Sequence, residues 1–533
     1  MRYQQAVRST LFISLITAIA SFLGFAQQSL MASVFGAGRE VDAFVASQTI
    51  PDIFTKILQG GILSIVFVPI FVKLIYRRQI KKAWQITANL INIICLIFLV
   101  VIILGIILTP YLVKLVVPGF EASGQDLTIK LTRLLFPTVL FNLLTVLGIS
   151  TLHAFRKFNL SALIKLILPI TIIPLLLIFK NSLGIELLAW GNLIVSILQV
   201  ILIGQAMVGL GFKFKLKLNL KDPILIKMLA LVSPFIFATV FSQAASIVDK
   251  ILASHLAEGS ISALFFSNKI FRFVSGIFLT ALPIVSFPAF SEYIAKKDFN
   301  NLVTGSKTIV RLIAFITFPA TAGLIILSLP ITQVLFQRGN FSAVDSRMAA
   351  IALMFYSVGL VFNGVNHIWG NIFYALEKTK ILVKISILVV SANIILNLVL
   401  VRPLAHGGIA LATTLSYLIS FVLHFSYLQI HIKKIRKVIF DWYYLKILLA
   451  TIAMSLVILI FWPIINKIIK GSDLLLQVAR LFVIIVLGAS VYFYLNLKLK
   501  IAEAKTIIEI IKYYLNKNNL KDSKKYFYAI LRH

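Results

Sequence analysis

Runs of roughly 20 apolar residues recur from one end of the 533-residue chain to the other, separated by short polar stretches. Wound as a helix, such a run matches the hydrocarbon thickness of a bilayer. In lipid a spanning segment must satisfy its own backbone hydrogen bonds, which a helix does. The pattern therefore predicts an all-α polytopic membrane protein. Composition agrees where it discriminates: 60% of residues are hydrophobic and 13% charged, against about a quarter charged in a soluble domain. Runs of at least about 17 residues number about fourteen. They are expected at residues 9–35, 41–75, 84–109, 126–153, 158–180, 184–208, 225–254, 260–294, 306–335, 344–375, 379–401, 407–431, 441–466 and 474–497.

The net charge of +33 would suit a nucleic-acid partner if it formed a basic domain. Instead the Lys and Arg residues fall in clusters after the even-numbered spans. Examples are Lys73, Arg77, Arg78, Lys81 and Lys82 after the second, and Lys433, Lys434, Arg436 and Lys437 after the twelfth. The loops after odd-numbered spans are poorer in them, with Lys467 and Lys470 the main exception. This is the positive-inside pattern, so no nucleic-acid partner is expected and both termini are placed in the cytoplasm. One cysteine, Cys95, and seven histidines without ligand spacing give neither a disulfide framework nor a Cys- or His-based metal site. Arg2 and Arg8 precede the first span and no small-residue cleavage site follows it, so it is read as retained. No GxxxxGK[ST] loop, kinase signature or Ser/His/Asp order occurs. The chain is expected not to be an enzyme, and any transport would draw on a gradient. After residue 498, Ile501, Ile507, Ile508, Ile511, Tyr514 and Leu515 recur at helical spacing among lysines. That fits an amphipathic helix on anionic lipids, or a solvated helical tail.

Polar side chains sit inside the first two spans: Gln27, Gln28, Asp42, Gln48, Thr49, Asp52, Thr55, Lys56 and Gln59, around a Gly36-Ala37-Gly38 turn, Pro51 and Gly60-Gly61. Such groups at membrane depth are costly and usually face a bundle interior or a wet cavity. This makes the helix pair a candidate transport pathway; snorkelling of Asp42 and Lys56 to the interface is the competing account. A shift of 221 residues lays this pair over spans 7 and 8. Ala32-Ser33 falls on Ala253-Ser254, Gly38 on Gly259, Phe44 on Phe265 and Gln28 on Asp249. Internal repeats with a substrate site between them are the common build of secondary transporters.

Two constellations follow. Asp249, the i,i+4 pair Asn393 and Asn397, and Thr413 offer oxygens for a hard cation such as Na⁺; the same spacing fits polar residues that hold helices together. Lys56, Lys269 and Arg272 would suit a diphosphate head group, or, nearer an interface, lipid phosphates in general. Asn363, Asn366, His367 and Asn371 add a polar stripe, with packing the commoner role for a lone histidine.

GFAQQSLMASVFGAGREVDAFVASQTIPDIF at residues 24–54, LTRLLFPTVLF at 131–141 after VVPGF, FQRGNFSAVDS at 336–346 and NIFYALEKTKILVKISI at 371–387 resemble the MurJ/MviN family of the MOP exporter superfamily. The resemblance runs nearly the full length. It implies two six-helix lobes, residues 1–222 and 223–437, around a cationic cavity. Two further helices at 438–498 would form a lipid-tail groove, followed by a basic tail at 499–533. The implied activity is alternating-access flipping of polyprenyl-diphosphate-linked peptidoglycan precursor across the cytoplasmic membrane, by a chain expected to be a monomer. Carried over position by position, Asp42, Lys56 and Lys269 match the family's acidic and basic site residues. Asp249, Asn393, Asn397, Thr413 and the Ile409 carbonyl match a sodium site. The family's helix 1 arginine and aspartate are here Gln27 and Gln28, Thr55 replaces a basic residue, and Gly60 replaces an acid. The expected substrate ligands are thus Lys56, Lys269, Arg272, Asp42, Gln27 and Gln28, with export of another lipid-linked oligosaccharide, or a scaffold without transport, as alternatives.

Overall fold

A computed structural model describes residues 2–59, 67–216, 218–279, 281–471 and 473–505. Gly60-Gly61, Lys217 and the tail from residue 506 on lie outside the described residues. The described chain is helical, with no β-strand among the described residues. The first half holds α1 (Arg2–Phe35), α2 (Arg39–Ser47), α3 (Thr49–Gln59), α4 (Val68–Tyr76), α5 (Ile80–Val116), α6 (Ala122–Ala154), α7 (Phe158–Leu183) and α8 (Glu186–Gly209). The second begins with α9 (Pro223–Ser254), α10 (Ser260–Leu279), α11 (Ala281–Ala295), α12 (Phe299–Ile326), α13 (Ser328–Phe336), α14 (Ala343–Val358) and α15 (Leu360–Ala375). It ends with α16 (Thr379–His431), α17 (Arg436–Ile439), α18 (Trp442–Ile468) and α19 (Leu474–Lys498).

Among the described residues nine helices are long and apolar enough to cross a membrane, or ten if α14 and α15, bent by 42°, form one span. Among the described residues the expected spans fall on helix, but several are broken. The second is interrupted at Gln48, because Pro51 has no N–H to offer the Ser47 carbonyl four residues back and its ring crowds that oxygen. The expected eleventh and twelfth spans are joined in α16, which turns sharply at Ala405, φ 49° and ψ −133°. The predicted repeat reappears in the boundaries: α2 starts at Arg39 and α10 at Ser260, 221 residues later, and glycines with positive φ, Gly36 and Gly259, precede them.

Packing divides the chain into two compact units. One comprises residues 1–262 and 336–345, the other residues 263–335 and 346–533. The boundary falls at Ser262 rather than at the repeat boundary near 222, because α9 packs on α3 and α5. In the first unit an aromatic core forms where Trp84 of α5 lies 5.3 Å from Phe155, 5.4 Å from Phe212 and 5.5 Å from Phe71. The chain after α8 is pinned to α5 at two points: Asn89 Nδ2 donates to the Asn219 carbonyl at 2.9 Å and Asn92 Nδ2 to that of Lys215 at 2.9 Å. The 336–345 loop caps α1. Asn340 donates its N–H to the Ser33 carbonyl (2.9 Å) and its Nδ2 to that of Val34 (2.6 Å), meeting acceptors that a helix end leaves open. In the second unit α18 packs on α19 and on α12, with Ile447, Ile458, Ile484 and Ile501 in the shared core. There Asp441, just before α18, pairs with Lys307 (2.8 Å) and with Arg311 of α12.

Candidate functional site

The acidic residue expected to face substrate is committed elsewhere. Asp42 of α2 is 3% exposed. Its carboxylate accepts from the Gly259 N–H at 2.8 Å, the Ser262 N–H at 2.7 Å and the Ser262 hydroxyl at 2.5 Å. Open N–H groups at a helix start favour an anionic acceptor, so Asp42 caps the first turn of α10 from another helix. Beside it the Arg39 N–H donates to Glu258 Oε1 at 2.7 Å, and the Arg39 guanidinium pairs with Glu121 at 2.7 Å.

Lys56 lies exposed on α3 and donates to Gln243 Oε1 of α9 at 3.1 Å. Two helical turns further along α9 stands Lys250, which feels the charges of the Asp249 and Asp52 carboxylates and, in opposition, that of Lys56. The first unit thus gathers a compact set of two carboxylates and two ammoniums between α3 and α9. Gln27, 6% exposed, and Gln28 of α1 each bury an amide oxygen with no hydrogen-bond partner among the described residues. Such an oxygen is costly unless water or a ligand donates to it.

The other expected ligands belong to the second unit. Lys269 of α10 places its ammonium 4.8 Å from the Phe265 ring centroid, and exposed Arg272 donates through Nε to Asn268 Oδ1 at 2.5 Å, one turn back. On α16 the two asparagines meet as their spacing predicts, Asn397 Nδ2 donating to Asn393 Oδ1 at 3.1 Å, both buried. Past the turn at Ala405, the Thr413 hydroxyl donates to the Ile409 carbonyl at 3.2 Å. Asp249 is in the first unit and these four in the second. The polar stripe of α15 serves helix packing: Asn363 donates to Ser275 (3.2 Å), Asn366 to the Tyr417 carbonyl (2.9 Å) and Asn371 to that of Pro283 (2.6 Å). No group of three or more His, Cys, Asp or Glu side chains able to hold a metal exists among the described residues.

Gln48 and Asp52, expected to face a bundle interior or a wet cavity, line a polar cavity of about 210 Å³ inside the first unit together with Thr138, Asn142, Asn192 and Gln199, which the sequence reading did not single out. The signal was available. Gln48 with Asp52, and Thr138 with Asn142, are i,i+4 pairs within apolar runs, so each pair shares a helix face.

Apolar helices of membrane-spanning length carrying a buried carboxylate and buried amides fit a multi-pass membrane protein of the transporter class. The chain belongs to the lipid II flippase MurJ family, whose family model matches residues 31–479. Among its relatives, the "Probable lipid II flippase MurJ" of Rickettsia prowazekii is 28% identical over 493 residues, covering 91% of this chain and 96% of that one. The "Lipid II flippase MurJ" of Burkholderia cenocepacia is 26% identical over 413 residues, covering 76% and 80%. The fold matches a solved lipid II flippase MurJ in an inward closed conformation, with TM-score 0.75, 24% identity and coverage of 91% and 99%. An inward-facing MATE family transporter of the MOP superfamily matches at TM-score 0.66, with 13% identity and coverage of 80% and 99%.

Proposed function

We propose that this chain flips a polyprenyl-diphosphate-linked peptidoglycan precursor, lipid II, across the cytoplasmic membrane by alternating access driven by an ion gradient. The observation that carries the reading is the family match along residues 31–479. Lys56, Lys269 and Arg272 supply the cations for the diphosphate, Gln27 and Gln28 neutral amides in place of charges. Asp42 acts through the backbone turn that it caps. Sodium at Asp249, Asn393, Asn397, Thr413 and the Ile409 carbonyl is the proposed coupling ion. The helices α18 and α19 receive the lipid tail, both termini face the cytoplasm, basic loops meet anionic lipids, and the protein works as a monomer.

A second reading, export of a different lipid-linked glycan, is favoured by the buried uncharged amides of Gln27 and Gln28. A charge-assisted hydrogen bond contributes about 1.5–3 kcal/mol, so a site without these charges should hold a diphosphate less tightly. Reconstituted translocation of lipid II beside another polyprenyl-linked glycan separates the two; transport of the second alone overturns the first. In cells that depend on this protein, Lys56→Ala and Lys269→Ala should each abolish growth. Full viability of both would favour a scaffold without transport.

A further inference from the structure

The polar cavity of the first unit lies among α3, α6, α7 and α8, and the ligand sets considered above for diphosphate and for sodium use none of its lining side chains. Its donors and acceptors are unevenly arranged. The Thr138 hydroxyl donates to the Leu135 carbonyl of its own helix at 2.6 Å, which leaves its lone pairs as what it can offer a guest. Asn192 spends its Nδ2 on the Leu188 carbonyl at 2.7 Å, which leaves Oδ1 as the free end of the amide. Asp52 adds a carboxylate, and Gln48, Asn142 and Gln199 each add an amide with one oxygen and one NH2 group. Acceptors in excess of donors, carrying one formal negative charge, suit a guest that brings positive charge.

From this geometry we infer that the cavity binds a monovalent hard cation of the sodium class, held by the Asp52 carboxylate and the oxygens of Thr138, Asn142 and Asn192. Divalent cations such as Ca²⁺ are taken by several carboxylates, whereas one carboxylate among neutral oxygens balances a single charge. The volume leaves room for the ion to keep part of its water. Asp52 is solvent-exposed at the cavity wall, which gives the ion an entry. Asp52 also interacts with the Lys250 ammonium. The ion and the Lys250 charge therefore compete for the field of one carboxylate. Ion binding stands apart from the flippase reading, which it deepens only by supplying a coupling ion. Its assay reads sodium directly, so failure of lipid transport would leave it standing.

The test is equilibrium binding of radioactive sodium to the purified full-length chain in choline buffer. It is run in an Asn393→Leu background, which removes the candidate site of the second unit. Saturable sodium binding is expected, weakened at least about tenfold by Asp52→Asn and by Asn142→Leu, as loss of one coordinating charge or oxygen implies. Lys250→Gln, which removes the competitor, should tighten it by about tenfold, and Gln199→Glu, which adds a carboxylate, should tighten it also. These two gains read out even if the loss variants fold poorly. Absence of saturable sodium binding in the parent, or unchanged binding in Asp52→Asn together with Lys250→Gln, overturns the inference.

Discussion

Replacing Asp42 by alanine strips three acceptor contacts from the start of α10: the N–H groups of Gly259 and Ser262, and the Ser262 hydroxyl. Hydrogen bonds to a charged partner contribute about 1.5–3 kcal/mol each with both partners present, while loss of an N-cap side chain costs about 0.5–2 kcal/mol. The hydroxyl can turn to a carbonyl of its own helix, and water entering the vacated space replaces part of what the two N–H groups lose. A net cost of about 2–4 kcal/mol to closure of this turn follows. That corresponds to a local opening about 30-fold to several hundredfold more populated. Amide hydrogen exchange reads such openings one segment at a time. In Asp42→Ala the Gly259 and Ser262 amides should exchange faster by that factor. In Asp42→Asn, which keeps one acceptor oxygen but no charge, the increase should be smaller. Glu258→Gln, which touches Arg39 rather than the capped turn, should leave both amides protected. Unchanged protection in Asp42→Ala would refute the cap and return Asp42 to the list of open ligands.

Gly339→Ala should destabilise the purified protein by more than about 1 kcal/mol, the penalty for alanine at an incompatible backbone, and so lower its melting temperature. Gly339 has φ +56°, and a Cβ there would stand 2.2 Å from the Ser33 carbonyl oxygen; an unchanged melt would show that the α1 cap is dispensable. Asp441→Asn leaves Lys307 and Arg311 without their shared carboxylate, whose side chain is 16% exposed, and should cost about 1–3 kcal/mol. Because the three groups are partly buried, 0.5 M salt should not reproduce the loss in the wild-type protein; a salt melt equal to the mutant's would mark the cluster as a surface pair.

Run length alone made much of the architecture legible: the span expected at 158–180 is α7, and that expected at 184–208 is α8. The breaks were harder. Pro51 announced trouble in the second span but not its place at Gln48, because a proline disturbs the turn before it rather than its own position. The break at Ala405 fell between the spans expected to end at 401 and to start at 407, although an alanine gives no sign of the positive φ found there. At the candidate site, the i,i+4 rule placed Asn393 against Asn397, a local relation that spacing captures. Asp42 illustrates the opposite case. A costly carboxylate at membrane depth points to a partner but does not say which, and this one accepts from backbone 217 and 220 residues away. Beyond Gln48 and Asp52, the lining of the first unit's cavity escaped for a similar reason, since α6 and α8 each contribute only a pair of amides or an amide and a hydroxyl. Each alone reads as an ordinary packing residue.

The sharp bend of α16 sets a trap for anyone who maps activity by mutagenesis. Just after Ala405 the chain doubles back so closely that a methyl group on Gly408 would land 2.1 Å from the Leu400 carbonyl oxygen, and a backbone carbonyl cannot swing aside as the end of a flexible side chain can. Inactive variants at position 408 would therefore report a ruined elbow, though the residue is the immediate neighbour of Ile409. Only substitutions that spare the elbow, such as Thr413→Val, can speak to ion chemistry there.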